Sequence, residues 1–273
     1  MRLIKCLLTE NNCYTNGVKI TPCGIMLHST GANNPTLKRY VQPSDDEPAR
    51  DKLLELLGVN YNGNDWNQPT PDGIKVCVHG FIGRLADKSI ASVQTLPWDM
   101  MGWHSGYFSK YAKTNANKLG YIGIEICEDG LTDPEYFKAV YAETLDLCEY
   151  LCRIYGLDPK KPNTIICHSE GHKAGIASNH ADVMHWFPKH GKSMDDFRKE
   201  LSERLAKKEP SKPPYKHLGD VPEWYRPAIQ KLMEKGALVG TGDADQNSLH
   251  DSVLNLSEDF CRVMTVLHNL GLF

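Results

Sequence analysis

The sequence predicts an α/β fold: a central β-sheet flanked by helices, followed by a small helical C-terminal module. Three observations carry this. Four short apolar runs bounded by Gly, Pro, Asn or Asp recur through the first 206 residues. Between the last two stands a long amphipathic helical pattern. Then 207–216, KKEPSKPPYK, sets three prolines and four lysines against any periodicity, as an exposed linker does. The expected organisation is a domain over 1–206, a linker over 207–216 and a module over 217–273.

Taken in order, GIMLHST (24–30) is the first apolar, β-rich run, and PARDKLLELLG (48–58) carries helical spacing. KVCVHGFI (75–82) and YIGIEIC (121–127) are the second and third strands. The stretch from Thr132 to Gly156 opens with a capping box of Thr132 and Glu135 and has Pro134 in its first turn. Phe137, Val140, Tyr141, Leu145, Cys148, Leu151, Cys152 and Tyr155 then recur on one face until Gly156 ends the helix. NTIICHS (163–169) is the fourth strand and SMDDFRKELSERLAKK (193–208) a further helix. The tail reads as two helices joined by a polar Gly/Asp-rich connection.

Composition narrows the function. With 41% hydrophobic residues, 24% charged residues and a formal charge of -3, the 273-residue chain is a globular protein and not a nucleic-acid binder. No 18 apolar residues run together, so no membrane span is expected. The N-terminus, MRLIKCLLTENN, has a brief apolar run broken by Lys5 and no small-residue cleavage site; it reads as a cytoplasmic start without a signal peptide. Nine scattered cysteines give neither a disulfide framework nor a Cys-only zinc site, and are expected to be reduced.

The chemistry gathers at strand ends, where functional residues of open α/β sheets lie. His28 ends GIMLHST, His168 ends NTIICHS, and Glu125 lies within YIGIEIC. In that strand Ile122, Ile124 and Ile126 share one face, and Gly123, Glu125 and Cys127 the other. A carboxylate buried beside a glycine is raised toward neutrality, as a general base requires; an edge Glu facing water is the competing reading. Catalytic zinc takes three protein ligands and leaves one position for water. His28 and His168 supply two, and Asp182, His180 and His172 compete for the third place. The chain lacks H-E-x-x-H, a P-loop, G-x-G-x-x-G and G-x-S-x-G; His168-Ser-Glu170 satisfies H-x-E, but the P-C-x-x-C of zinc deaminases is absent. His79, within a strand, reads as structural, and His172 and His185 as neither ligand nor catalyst.

"MLHSTGANNP", "GWHSG", "YIGIEICED" and "CHSEGHKAGIASNHADVMHWFP", in this order over about residues 20–200, resemble the zinc N-acetylmuramoyl-L-alanine amidases of the type-2 amidase and peptidoglycan-recognition-protein superfamily. The likeness is strongest to endolysins of phages and prophages of clostridial-type bacteria. The resemblance implies a mixed sheet with flanking helices, one catalytic Zn2+, peptidoglycan as substrate and cell-wall lysis after release from the cytoplasm. His28 and His168 match its two histidine ligands. Asp182, opening a D-P-G-x-x-F-P-like stretch in which Val183 and Met184 replace Pro and Gly, matches the third. Glu125 matches the catalytic glutamate, and His180 stands where the family has an oxyanion-stabilising Lys or Thr. Because of the altered motif, His180 and Asp182 can exchange roles. His104, in the W-H-x-G segment, is expected to face substrate or to support a ligand. Asn33, Asn34 and Trp103 are expected in the substrate groove, with Trp66 and Trp98 as further candidates.

The tail resembles a divergent S-layer-homology-type or endolysin C-terminal module through Trp224, Ala228, Ile229, Leu232 and Gly236. That implies wall targeting, against a helical pair that docks on the larger domain or forms a homodimer. The main rival function is a zinc-free peptidoglycan-binding protein of the same fold, in which a ligand would be missing.

Overall fold

The structure, a computed structural model, describes residues 1–69, 76–207, 215–239, 254–269 and 272. The chain divides into two compact units, Met1–Lys207 and Lys208–Phe273. Most of the expected linker, 208–214, lies outside the described residues, as does the tail's polar connection over 240–253.

In the first unit the strands are β1 (Leu3–Lys5), β2 (Gly24–Ser29), β3 (Gly80–Arg84), β4 (Ile90–Gln94), β5 (Tyr121–Ile126) and β6 (Ile165–Cys167). Its helices are α1 (Asn12–Asn16), α2 (Arg50–Leu57), α3 (Ala116–Leu119), α4 (Pro134–Tyr155), α5 (His168–Lys173) and α6 (Met194–Ala206). The strands form one mixed sheet in the order β1-β4-β3-β5-β2-β6, with β3 and β4 antiparallel and the other neighbours parallel.

The alternation of YIGIEI separates two cores. Ile122, Ile124 and Ile126 face α4 and α6 with Ile25, Leu27 and Ile165, burying Phe137, Leu151, Trp186 and Phe197. On the opposite face Phe81 packs with Leu37, Tyr40 and α2 residues Leu53 and Leu57. At about 25 cal/mol per Å², these two apolar layers are the main driving force for the unit. Helix α4 starts one residue later than the capping box predicts: Asp133, not Thr132, caps it, accepting from the backbone of Glu135 and Tyr136. Gly156 ends it in the left-handed region, where a side chain would be strained. Helix α6 begins with the reciprocal Ser193–Asp196 capping box.

The second strand differs from the expected 75–82. Lys75 is outside the described residues, Cys77 makes only an isolated antiparallel bridge to Trp103, and pairing begins at Gly80. His79 sits at the junction, its N–H donating to Gly123 O and its carbonyl accepting from Thr95 N. Among the described residues, the nine cysteines form no disulfide. No helix among the described residues is long and apolar enough to cross a membrane.

The second unit contains α7 (Arg226–Glu234) and α8 (Glu258–Asn269). Ala228, Ile229 and Leu232 are buried, Gly236 has a φ of 67°, and Trp224 is 69% exposed. Leu218, Val221, Ile229, Met233, Leu256 and Cys261 form its small core.

Candidate metal centre and active site

Three parallel neighbours, β5, β2 and β6, deliver the site. His28 pairs with Glu125 in the β2–β5 register, and Leu27 with Cys167 in the β2–β6 register. His28, Glu125 and His168 therefore form one row at the strand ends, on the face away from α4. His168 follows Cys167 directly and opens α5.

Asp182 arrives from a 3-10 turn, Asp182–His185, that is anchored by buried Val183 and Trp186. Its φ of 38° is a left-handed conformation for a residue with a side chain, the kind of local strain that collects at functional sites. The strained turn brings the carboxylate inward. Asp182 Oδ2 lies 3.1 Å from His28 Nδ1 and 2.9 Å from His168 Nδ1, and the two imidazole nitrogens are 3.1 Å apart.

Of the competing third donors, Asp182 closes this triangle. His180 lies on the other side of His168: its Nδ1 is 3.0 Å from Ser178 Oγ and 3.3 Å from His168 Nε2. His172 shares α5 with His168, because Gly171 fits where a Cβ would press 2.6 Å from Met26 Cε. Its ring nonetheless turns to Phe108, 4.9 Å away, and its Nδ1 to Ala177 O. Among the described residues, His28, His168 and Asp182 are the group whose donor atoms could hold a metal, all within 4.8 Å of one another.

A tetrahedral ion about 2.0–2.1 Å from N and O donors spaces them roughly 3.3 Å apart. The observed triangle has edges of 2.9 to 3.1 Å, so these residues fit such an ion with a few tenths of an ångström of opening. The donor set, two imidazoles and one carboxylate, is also the one zinc prefers over calcium or magnesium.

Electrostatics differ across the site. Burial works to raise the Asp182 carboxyl, but the adjacent His168 and His28 imidazoles outweigh it and hold the group below the usual carboxylate range. Burial lowers His28, more than Asp182 offsets. Glu125 moves the other way: burial, then the negative charges of Asp182 and Glu128, raise it well above its ordinary value. Its Oε2 is sealed from solvent and has no hydrogen-bond partner. The site thus holds two carboxyl groups pushed in opposite directions.

His104 is buried, its Nδ1 2.9 Å from His28 Nε2, so its ring supports a triangle member from behind and does not face a groove. Asn34 uses its side-chain oxygen within its own turn, accepting from Thr36 N and Oγ1. Asn33 is exposed, and Trp103 is half-buried with its ring 5.7 Å from Tyr107. Trp98 belongs to the core, and Trp66 packs on Tyr40 and Phe81. His79 is fully buried between Met100 O and Gly123 N. Sequence reasoning missed Glu128 and Ser178. Glu128 is buried, with its Oε1 2.8 Å from His185 Nε2, so His185 has a defined partner. Only its position three residues after Glu125 hinted at this.

Two nitrogen donors, a carboxylate and an adjacent carboxyl raised by burial form a site of the kind that metal-assisted hydrolases use. The sequence profile of the N-acetylmuramoyl-L-alanine amidase family matches residues 19–185, and the chain belongs to that family of peptidoglycan amidases. Among solved structures, the Staphylococcus aureus hydrolase AmiA in complex with its ligand is similar at 17% identity, over 75% of this chain and 83% of that one, with a TM-score of 0.46. The catalytic domain of XlyA is 18% identical, over 74% and 99%, with a TM-score of 0.45. A mutant endolysin from Bacillus subtilis is 19% identical, over 74% and 99%, with a TM-score of 0.44. A search of curated proteins finds no match.

Proposed function

We propose that this chain hydrolyses the amide bond between N-acetylmuramic acid and L-alanine in peptidoglycan, with one zinc ion held by His28, His168 and Asp182. The observation that carries the proposal is the convergence of these three donors in register with half-buried Glu125, inside the segment matched by the family profile. Bound zinc would polarise the scissile carbonyl and bring the pKa of a water to about 7.

Glu125 is the general base. Its carboxyl takes the proton of the attacking water and returns it to the departing alanine nitrogen. His180, exposed beside His168, donates to the oxyanion that develops on the carbonyl. Asn33, Asn34 and Trp103 would contact the substrate, and glycan and stem peptide separate as products. The second unit keeps the enzyme on the wall, where it acts after release from the cell.

The test joins metal content with product chemistry. Glu125→Ala should lower turnover on purified wall by about 10²–10⁴-fold while zinc stays bound. His28→Ala should lose both, and the newly exposed amino group should be that of alanine. Near-native turnover by Glu125→Ala, or a different liberated amino group, would overturn the assignment.

A further inference from the structure

We infer that His104 is a positioning residue that fixes the proton of His28, so that the His28 nitrogen aimed at the triangle is an empty lone pair. The inference rests on the proposed metal-binding role of His28, and its argument is the chain of hydrogen-bond partners behind that residue.

The chain starts from a group whose role is not adjustable. The Tyr121 carbonyl can only accept, and it lies 3.1 Å from His104 Nε2, so that nitrogen carries a proton. A neutral His104 then presents its lone pair at Nδ1, 2.9 Å from His28 Nε2. His28 must therefore donate from Nε2, which leaves Nδ1 bare and facing Asp182 and His168. The reverse arrangement would set two acceptors face to face at Tyr121, unpaired in a buried place. His168 Nδ1, 2.9 Å from the Asp182 carboxylate and 3.1 Å from the bare His28 Nδ1, carries the proton that both can accept.

The backbone is built around the His104 ring. A Cβ on Gly123 would lie 2.6 Å from His104 Cδ2 and Cγ, and one on Gly102 would lie 3.2 Å from Cδ2. The space that Gly123 leaves on the Glu125 face is therefore filled by an imidazole. His79 holds that glycine in place by accepting from Gly123 N at 3.0 Å while its other nitrogen donates to Met100 O at 2.7 Å. His104 N and Ser105 N both donate to the buried Asn117 side chain, at 3.0 and 3.1 Å, which fixes the loop. A chain carbonyl thus dictates, through two rings, which nitrogen of His28 is free.

The experiment uses the full chain. Nitrogen-15 NMR of histidine side chains in the metal-free protein should find neutral His28 protonated at Nε2. Zinc dissociation constants from competition with a chromophoric chelator should weaken about 10–100-fold in His104→Leu, the range for removing an outer partner of a ligating histidine. Gly123→Ala, which touches no ligand and only displaces the His104 ring, should weaken zinc in the same range. His104→Asn, whose side-chain oxygen can stand where Nδ1 accepts, should hold the constant within a few-fold of wild type. Protonation of His28 at Nδ1, or an unchanged zinc constant in His104→Leu, would overturn the inference. A wild-type protein that shows the Nε2 proton yet binds no zinc would overturn the functional reading and leave the relay standing.

Discussion

Acidification should weaken the first unit through His79, and the structure sets the size of the effect. His79 is fully buried, donating from Nε2 to Met100 O and accepting at Nδ1 from Gly123 N. Burial, only partly offset by the Met100 carbonyl, lowers its pKa from 6.5 to about 4. Below pH 6.5 the unfolded chain takes up a proton that the native state refuses until about pH 4. The unfolded state then binds more protons, so native stability falls as pH drops through this window and is recovered as it rises. At 1.36 kcal/mol per unit the displacement amounts to about 3 kcal/mol, fully lost below pH 4. Urea unfolding of wild type and His79→Gln at pH 7, 6, 5 and 4 measures it, with buried Trp98 and Trp186 as fluorescent reporters of the first unit. The variant should start lower at pH 7, having lost a well-placed imidazole, and decline less steeply. Other buried histidines contribute to both curves and cancel to first order in their difference. If the variant declines as steeply as wild type, the account of His79 is wrong.

Two further outcomes follow from the same geometry. Asp182→Ala should weaken zinc by more than about 100-fold in calorimetric titration, beyond what loss of an outer partner such as His104 produces. Trp186→Ala should cost about 3–5 kcal/mol in chemical denaturation. Because Trp186 anchors the turn bearing Asp182, its zinc affinity should fall as well, although the residue is not a ligand.

Much of this architecture is legible in the chain because its signals are local. The alternation of YIGIEI reveals both faces of β5, and the strand-end positions of His28 and His168 bring them into one row with Glu125. Helix α4 announces itself by spacing and by Gly156. What stays hidden depends on tertiary pairing. β1 and β4 span three and five residues and acquire their identity by pairing with each other, Leu3 beside Ser92. β3 starts late because Cys77 and His79 bond to Trp103 and Gly123 instead of forming a regular ladder. Helix α5 contains a glycine that propensity penalises and that the nearby Met26 side chain requires. The choice between Asp182 and His180 could not be read from spacing, since a positive φ at Asp182 turns the carboxylate inward. His104 was expected near the site, but its contact behind His28 arises from a loop pinned 13 residues away by Asn117.

The proposed metal site also sets a rule for synthesis. His28 and His168 are 140 residues apart and His28 and Asp182 are 154 apart, yet their donor atoms meet within 3.1 Å. A nascent chain that has not yet exposed residue 182 outside the ribosome holds at most two of the three donors. Metal capture is therefore a late event that reports the completed domain, and ambient zinc would favour the finished fold over every partly made one by mass action.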